Sequence, residues 1–445
     1  MKKSLIALAA VAAVGAASAQ SSVTLYGVLD AAYNNLSATN AGSLSRVTGN
    51  GGNQSSRIGF RGVEDLGGGL KASFVLEAGI NVDNGTGFTT TGNNMTLGQS
   101  ATTGSGTGAN AFAGNASSSA SGQQGLTFNR RSTVSLEGSF GEVRLGRDLT
   151  PTFLNLAAFD PFGAVGVGAA TNVTLGFLNP IGVSVAPPGS AKATVRSSNS
   201  LQYFTPNFAG FRAGVMYAFS ESPSNCTALG NAGNPGSGAS TLNSCPGAAG
   251  DGKYFGVRGL YNNGPISASV AFGKNSFKAG DAAIAAAGLV TGGVPAAGGT
   301  PFRGDGSIMN LGGSYNFGVA TAMAQYGTMK QQANLNQAVA TDQKLTHYLL
   351  GVSVPMGAGE FKASYNWGKL DKNATATENT RRQNQLALGY VHNLSKRTAL
   401  YTTYSRLNAS GAGAVASMGL SSTAVAATGG SVSASGYDIG VRHSF

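Results

Sequence analysis

The chain has 445 residues, of which 68 are glycine and only 11% are charged, with a formal charge of +11 and a mean hydropathy of +0.01. No stretch beyond the N-terminus approaches 18 continuous apolar residues, which excludes helical membrane spans. So little charge and so much glycine is unusual for a soluble enzyme, and the apolar residues are spread in alternation rather than gathered in blocks.

The first 19 residues read as a secretory signal peptide: a basic Met1–Lys2–Lys3, an apolar core from Leu5 to Val14 and a small-residue cleavage site at Ala17–Ser18–Ala19. A buried N-terminal helix would need polar partners that this stretch lacks. Gln20 then begins the mature chain, residues 20–445 form one domain, and loss of Lys2 and Lys3 lowers the formal charge from +11 to +9.

From Ser22 the sequence breaks into alternating segments of about ten residues, the length of a tilted strand crossing a bilayer. Val23, Leu25, Gly27, Leu29 and Ala31 oppose Thr24, Tyr26, Val28 and Asp30. Ile58 and Phe60 oppose Arg57 and Arg61, and a glycine-rich turn at Glu64–Gly69 leads into Leu70, Ala72, Phe74, Leu76 and Ala78 opposing Lys71, Ser73 and Glu77. Val134, Leu136 and Phe140 oppose Arg131, Thr133, Ser135 and Glu137, and a turn at Gly138–Glu142 reverses the chain into Val143–Arg144–Leu145. Alternation stops at Thr150–Pro151, where a long, almost uncharged segment follows; it is predicted to fold inward. Further strands are predicted near 200, 215, 257, 269, 311, 323, 349, 364, 387, 402 and 440, about sixteen in all.

Short connections are predicted at 64–69, 138–142, 206–210, 262–265, 316–318, 355–359 and 391–397, rich in Gly, Asn and Pro. Long ones are predicted at about 36–53, 83–124, 149–193, 221–252, 273–306, 331–343, 369–381 and 408–434. Such asymmetry, with an even strand number, fits an all-β, sixteen-stranded antiparallel transmembrane barrel of the bacterial outer membrane. Closure is required because lipid offers no partner to a sheet edge. Phe140, Phe211, Phe317, Phe361, Tyr390 and Phe445 near the short turns, with Tyr33, Phe255 and Trp367 toward the long loops, read as two interfacial aromatic girdles.

Cys226 and Cys245 share one loop-like segment; in an exported chain a disulfide is the favoured reading, and a metal site the weaker one because no histidine lies nearby. The three histidines, His347, His392 and His443, are scattered, with no triad order or metal-ligand spacing, so neither an enzyme nor a cofactor site is expected. The arginines alternate along strands instead of forming one surface, which argues against nucleic acid.

Several stretches resemble the general porins of Gram-negative outer membranes, in particular their trimeric beta-proteobacterial branch: Ser22–Asp30 (SVTLYGVLD), Ser56–Gly62 (SRIGFRG) with Glu64–Gly67 (EDLG), Leu145–Gly146–Arg147 leading to Thr150–Pro151, Tyr390–Thr398 (YVHNLSKRT) and the terminus Gly440–Phe445 (GVRHSF). The resemblance implies a sixteen-stranded barrel, a homotrimer and a pore narrowed by the third long loop, here containing Pro151, Phe153, Asp160 and Pro161. It also implies an inward basic cluster opposite that loop, carried onto Arg57, Arg131 and Arg196, with Arg61 and Arg144 sharing their parity. The loop lacks the acidic Pro-Glu-Phe-Gly-Gly form of enteric relatives. Phe445 is similar to the terminal aromatic read by the outer-membrane assembly machinery. Expected surroundings are outer-membrane lipid and lipopolysaccharide, and expected solutes are small anions and hydrophilic molecules. A surface-structural or adhesive barrel acting through its long loops is the alternative.

Overall fold

The computed structural model describes residues 22–40, 42–48, 51–88, 125–174, 195–220, 252–279, 302–335, 339–373, 380–411, 416, 418 and 430–445. Residues 1–19, where a signal peptide is predicted, Cys226, Cys245 and much of the longer loops lie outside the described residues. Seventeen strand segments form a single antiparallel sheet: β1 Ser22–Ala38, β2 Gly42–Thr48, β3 Arg57–Gly67, β4 Leu70–Gly79, β5 Arg131–Gly138, β6 Gly141–Leu149, β7 Arg196–Phe204, β8 Phe211–Ala218, β9 Tyr254–Asn263, β10 Ile266–Ala279, β11 Phe302–Asn316, β12 Thr321–Leu335, β13 Val339–Met356, β14 Gly359–Asn373, β15 Arg381–Asn393, β16 Thr398–Ser410 and β17 Ser431–Ser444. β3 pairs the first half of β1 and β2 pairs its second half, so the two are one barrel strand interrupted between 49 and 56. The barrel therefore has sixteen strands.

β1 also pairs β17 over Val28–Ala38, which closes the sheet and leaves no edge facing lipid. The alternation predicted from the sequence is the alternation observed. Val23, Leu25, Val134, Leu136, Leu145, Leu350 and Leu386 are exposed on the outside, and Thr133, Ser135, Ser200, Gln202, Asn366 and Gln385 are buried on the inside. Phe140, Phe211, Phe317, Tyr390 and Phe445 are exposed at the short-turn end.

The short turns fall where glycine, asparagine and proline placed them, and Gly67, Gly68 and Gly69 all take positive φ in the first one. The long connections are shorter than expected, because strands run on beyond the membrane. Most of 36–53 is a hairpin, β1 to Ala38 and β2 from Gly42, and most of 331–343 belongs to β12 and β13. Above the bilayer both faces of a strand meet water, so the alternation that marks membrane strands fades while the ladder of hydrogen bonds continues.

The segment after β6 starts with α1, Pro151–Ala158, capped by the Thr150 hydroxyl, which accepts from the Phe153 N–H. Proline at its first position suits a helix start. After α1 the chain runs along the inner wall, with Phe159 against β11, Pro161 against β13 and Phe162 against β15, and makes one more helical turn, α2 at Thr171–Thr174. α1 packs on β8–β11 and α2 on β13–β15, so the third long loop lies against the inside of the barrel. Apolar side chains meet there: Val167 and Val173 from the loop with Leu36, Leu345, Leu370, Leu407 and Val432 from the wall. Burying each stabilises the docked loop by roughly 1.5–3 kcal/mol.

Candidate functional site

Two surfaces face each other across the lumen. One is the inner face of β3–β7. There Glu77 accepts from Arg130 at 2.7 Å and from the Tyr26 hydroxyl at 3.2 Å, and Arg57 stands 3.5 Å away. Arg61 lies over the Tyr26 ring, 5.3 Å from its centroid. Next to this group, Asp148 is shared between Arg144 at 2.7 Å and Arg131 at 3.2 Å. Arg144 also grips Glu142 at 2.8 Å and lies 4.5 Å over the Phe204 ring. Arg196 donates to the Arg130 carbonyl at 2.8 Å, and Arg147 donates to the Asn129 carbonyl and to Ser198. This connected wall holds seven guanidiniums against three carboxylates, a balance of +4. Arg61 is exposed, and Arg57 and Arg131 each leave a quarter or more of the side chain open.

The other surface is the docked loop, held by buried polar contacts. Asn155 donates to Asn310 at 2.9 Å, Gln325 donates to the Leu156 carbonyl at 2.7 Å, and Gln385 donates to the Val167 carbonyl at 2.7 Å. Asp438 accepts from the Val167 N–H at 3.1 Å and from Asn34 at 2.6 Å. The tuck between β2 and β3 joins this anchorage. Asp30 accepts from the N–H groups of Gly52, Asn53 and Gln54 and from the Tyr401 hydroxyl. Close approach is essential at Gly166, where a side chain would run into the Gly52 carbonyl.

A lumen with a basic wall and an inserted loop can sort solutes by size and charge, and the comparisons say what such barrels are. A family model for Gram-negative porins matches residues 5–412. The chain belongs to that family. This porin is 38% identical to outer membrane porin protein 32 of Delftia acidovorans over the whole of both chains. It is 29% identical to an outer membrane porin protein of Bordetella pertussis, over 90% of this chain and 93% of the relative. Among solved structures it is similar to an anion-selective porin from Comamonas acidovorans, with a TM-score of 0.65, 33% identity, and coverage of 96% of this chain and all of that one. OmpT of Vibrio cholerae shares the fold at 14% identity and a TM-score of 0.55. The protein is thus a β-barrel channel of the outer membrane, open to passive diffusion.

In this porin the five arginines singled out from sequence, Arg57, Arg61, Arg131, Arg144 and Arg196, lie on the one basic wall. Two partners were missed. Leu145 faces lipid, so strict alternation sends Arg147 outward too. A register shift between Gly146 and Asp148 turns the chain there, with Gly146 at φ 118°. The Leu-Gly-Arg sequence is the available signal, since glycine inside a strand marks a bulge. Arg130 precedes β5 and gave no periodic cue.

The loop residues differ in what they face. Pro151, Asp160 and Pro161 are buried and Phe153 is half-buried. The Asp160 carboxylate accepts from the N–H groups of Phe162, Ala164 and Ala170 at 3.0, 3.0 and 2.8 Å, so it shapes the loop from within. Glu77 is likewise engaged, paired with Arg57 and Arg130 inside the basic wall. At the other end of the chain, the Phe445 backbone exchanges hydrogen bonds with Gly27 at 3.0 and 3.1 Å, and its ring lies where a Gly27 side chain would be.

Proposed function

We propose that this porin is an anion-preferring diffusion channel for small hydrophilic solutes. One observation carries the reading: a wall with a +4 balance faces a loop whose only carboxylate between 149 and 195, Asp160, is buried and bonded to its own backbone. Arginine suits the task because it stays charged at any working pH and can grip carboxylate or phosphate with two bonds. Arg57, Arg131 and Arg196, with Arg61 and Arg144, are assigned the anion-attracting role. The similar Comamonas acidovorans protein, described as anion-selective, supports the same direction.

The working unit is proposed to be a homotrimer, as the family resemblance implies, with insertion directed by Phe445. Light scattering of the unheated protein in mild detergent checks the trimer, and a monomer mass refutes it. The selectivity is read from the zero-current potential across a planar bilayer under a salt gradient. Because the Debye length shrinks from about 10 Å at 0.1 M to about 3 Å at 1 M, the preference should weaken as salt rises. A cation-directed potential at low salt would overturn the assignment.

A further inference from the structure

On the outside of β12–β15 the strand register gathers cations at one level. Lys330 stands directly opposite Lys344, and Lys369 stands directly opposite Arg382. Lys330, Lys344 and Arg382 are exposed, and their residue numbers share the outward parity of exposed Tyr348, Leu350 and Leu386. Like charges placed directly across a ladder destabilise it. Asp371 faces Lys344 and bonds Lys369 at 2.9 Å, so among the described side chains of this patch four cations meet one carboxylate.

The height of the patch fixes its surroundings. These cations lie roughly ten residues from the short-turn ends of their strands, about the length that crosses a bilayer. Just below them run three aromatic rings in a row, Tyr326, Tyr348 and Trp367, with centroids 5.1 and 5.6 Å apart. Tyrosine and tryptophan sit at the membrane–water interface. Below the rings are exposed Leu350 and Leu386. From the bilayer upward the wall therefore presents an aliphatic band, an aromatic row and an unbalanced set of cations.

We propose that this face docks one partner, the phosphorylated sugar headgroup of outer-leaflet lipopolysaccharide. Its acyl chains lie along the aliphatic band, its sugars against the rings, and its phosphates between the opposed cation pairs. A dianion placed there removes the like-charge repulsion that the register imposes. The site is on the outer wall and separate from the lumen, so it stands or falls independently of anion preference in the pore.

Trp367 is the chain's only tryptophan and its neighbour two residues on is Lys369, so intrinsic fluorescence of the full protein in lipid-free detergent reports binding. Titration with bisphosphorylated lipid A in the presence of EDTA should give a saturable change in emission. Lipid A stripped of both phosphates should bind at least tenfold more weakly, as should the native lipid A on a Lys330→Gln, Lys344→Gln, Lys369→Gln, Arg382→Gln variant. Single-channel conductance and heat-dependent gel mobility of that variant should match the parent, which shows a folded barrel. If the fourfold variant does not fold, Lys344→Gln alone should still weaken binding about threefold. Equal affinity for the two lipids, parental affinity in a folded variant, or full reproduction of the signal by millimolar inorganic phosphate would each overturn the proposal.

Discussion

Reversing charge at Arg57 and Arg131, two arginines that share the carboxylates of the wall, is the sharpest probe of the pore. Arg57→Glu with Arg131→Glu changes the wall by four charge units and takes its balance from +4 to zero. An ion roughly 7 Å from each site feels ~0.6 kcal/mol per unit charge at the dielectric of water, and about half that once 0.1 M salt screens it. Four units then raise an anion by ~1.2 kcal/mol and lower a cation by as much, which together is about fiftyfold in the ratio of the two. The assay is the zero-current potential of the purified variant in a planar bilayer under a tenfold potassium chloride gradient. It should move from the chloride side through zero toward potassium. Both residues have carboxylate neighbours, Arg57 with Glu77 and Arg131 with Asp148, so folding must be checked by gel mobility before and after heating. A correctly folded variant with the parental potential would mean that these two arginines do not face the conducting path.

Deleting Phe445, or replacing Gly27 with alanine, should each lower the yield of heat-modifiable barrel, since a Gly27 side chain would stand 2.3 Å from the Phe445 ring; normal yield from both in the outer membrane would remove the role given to the terminus. Asp160→Ala strands the buried N–H groups of Phe162 and Ala170, worth about 1–3 kcal/mol each, and frees the half-buried one of Ala164. It should increase open-channel current noise while the strand content by circular dichroism stays unchanged, and a quiet channel would show that the loop holds its shape by other means. Cys226 and Cys245 are proposed to be bridged, closing a loop of about 20 residues that is worth roughly 3 kcal/mol in the entropy model; thiols that titrate in the oxidised protein would exclude the bridge.

The barrel was legible because two-residue periodicity survives wherever one face meets lipid, as at Val134, Leu136 and Thr133, Ser135. It was less legible above the bilayer, where β2 and the ends of β12 and β13 lack the pattern. Alternation could locate Arg57, Arg131 and Arg196, but a bulge at Gly146 concealed Arg147. Another cue went unused. Leu345, Leu370, Leu407 and Val432 are apolar on the inward parity, which a water-filled lumen does not call for. Inward apolar positions mark the sector of wall that the loop covers. Asp160 could not be assigned from sequence, because whether a loop carboxylate meets solvent or its own backbone depends on how the loop closes on itself.

The loop's moorings also set an order of events. Its first half rests on Asn310 and Gln325, but its far end needs Gln385 and Asp438. The tuck beside it needs Asp30 of β1 and Tyr401 of β16, which flank β17 where the barrel closes. Those partners come together only when β17 has joined β1. The full mooring of the loop is thus completed only as the barrel closes, and a half-assembled barrel has a wall without its loop fastened in place.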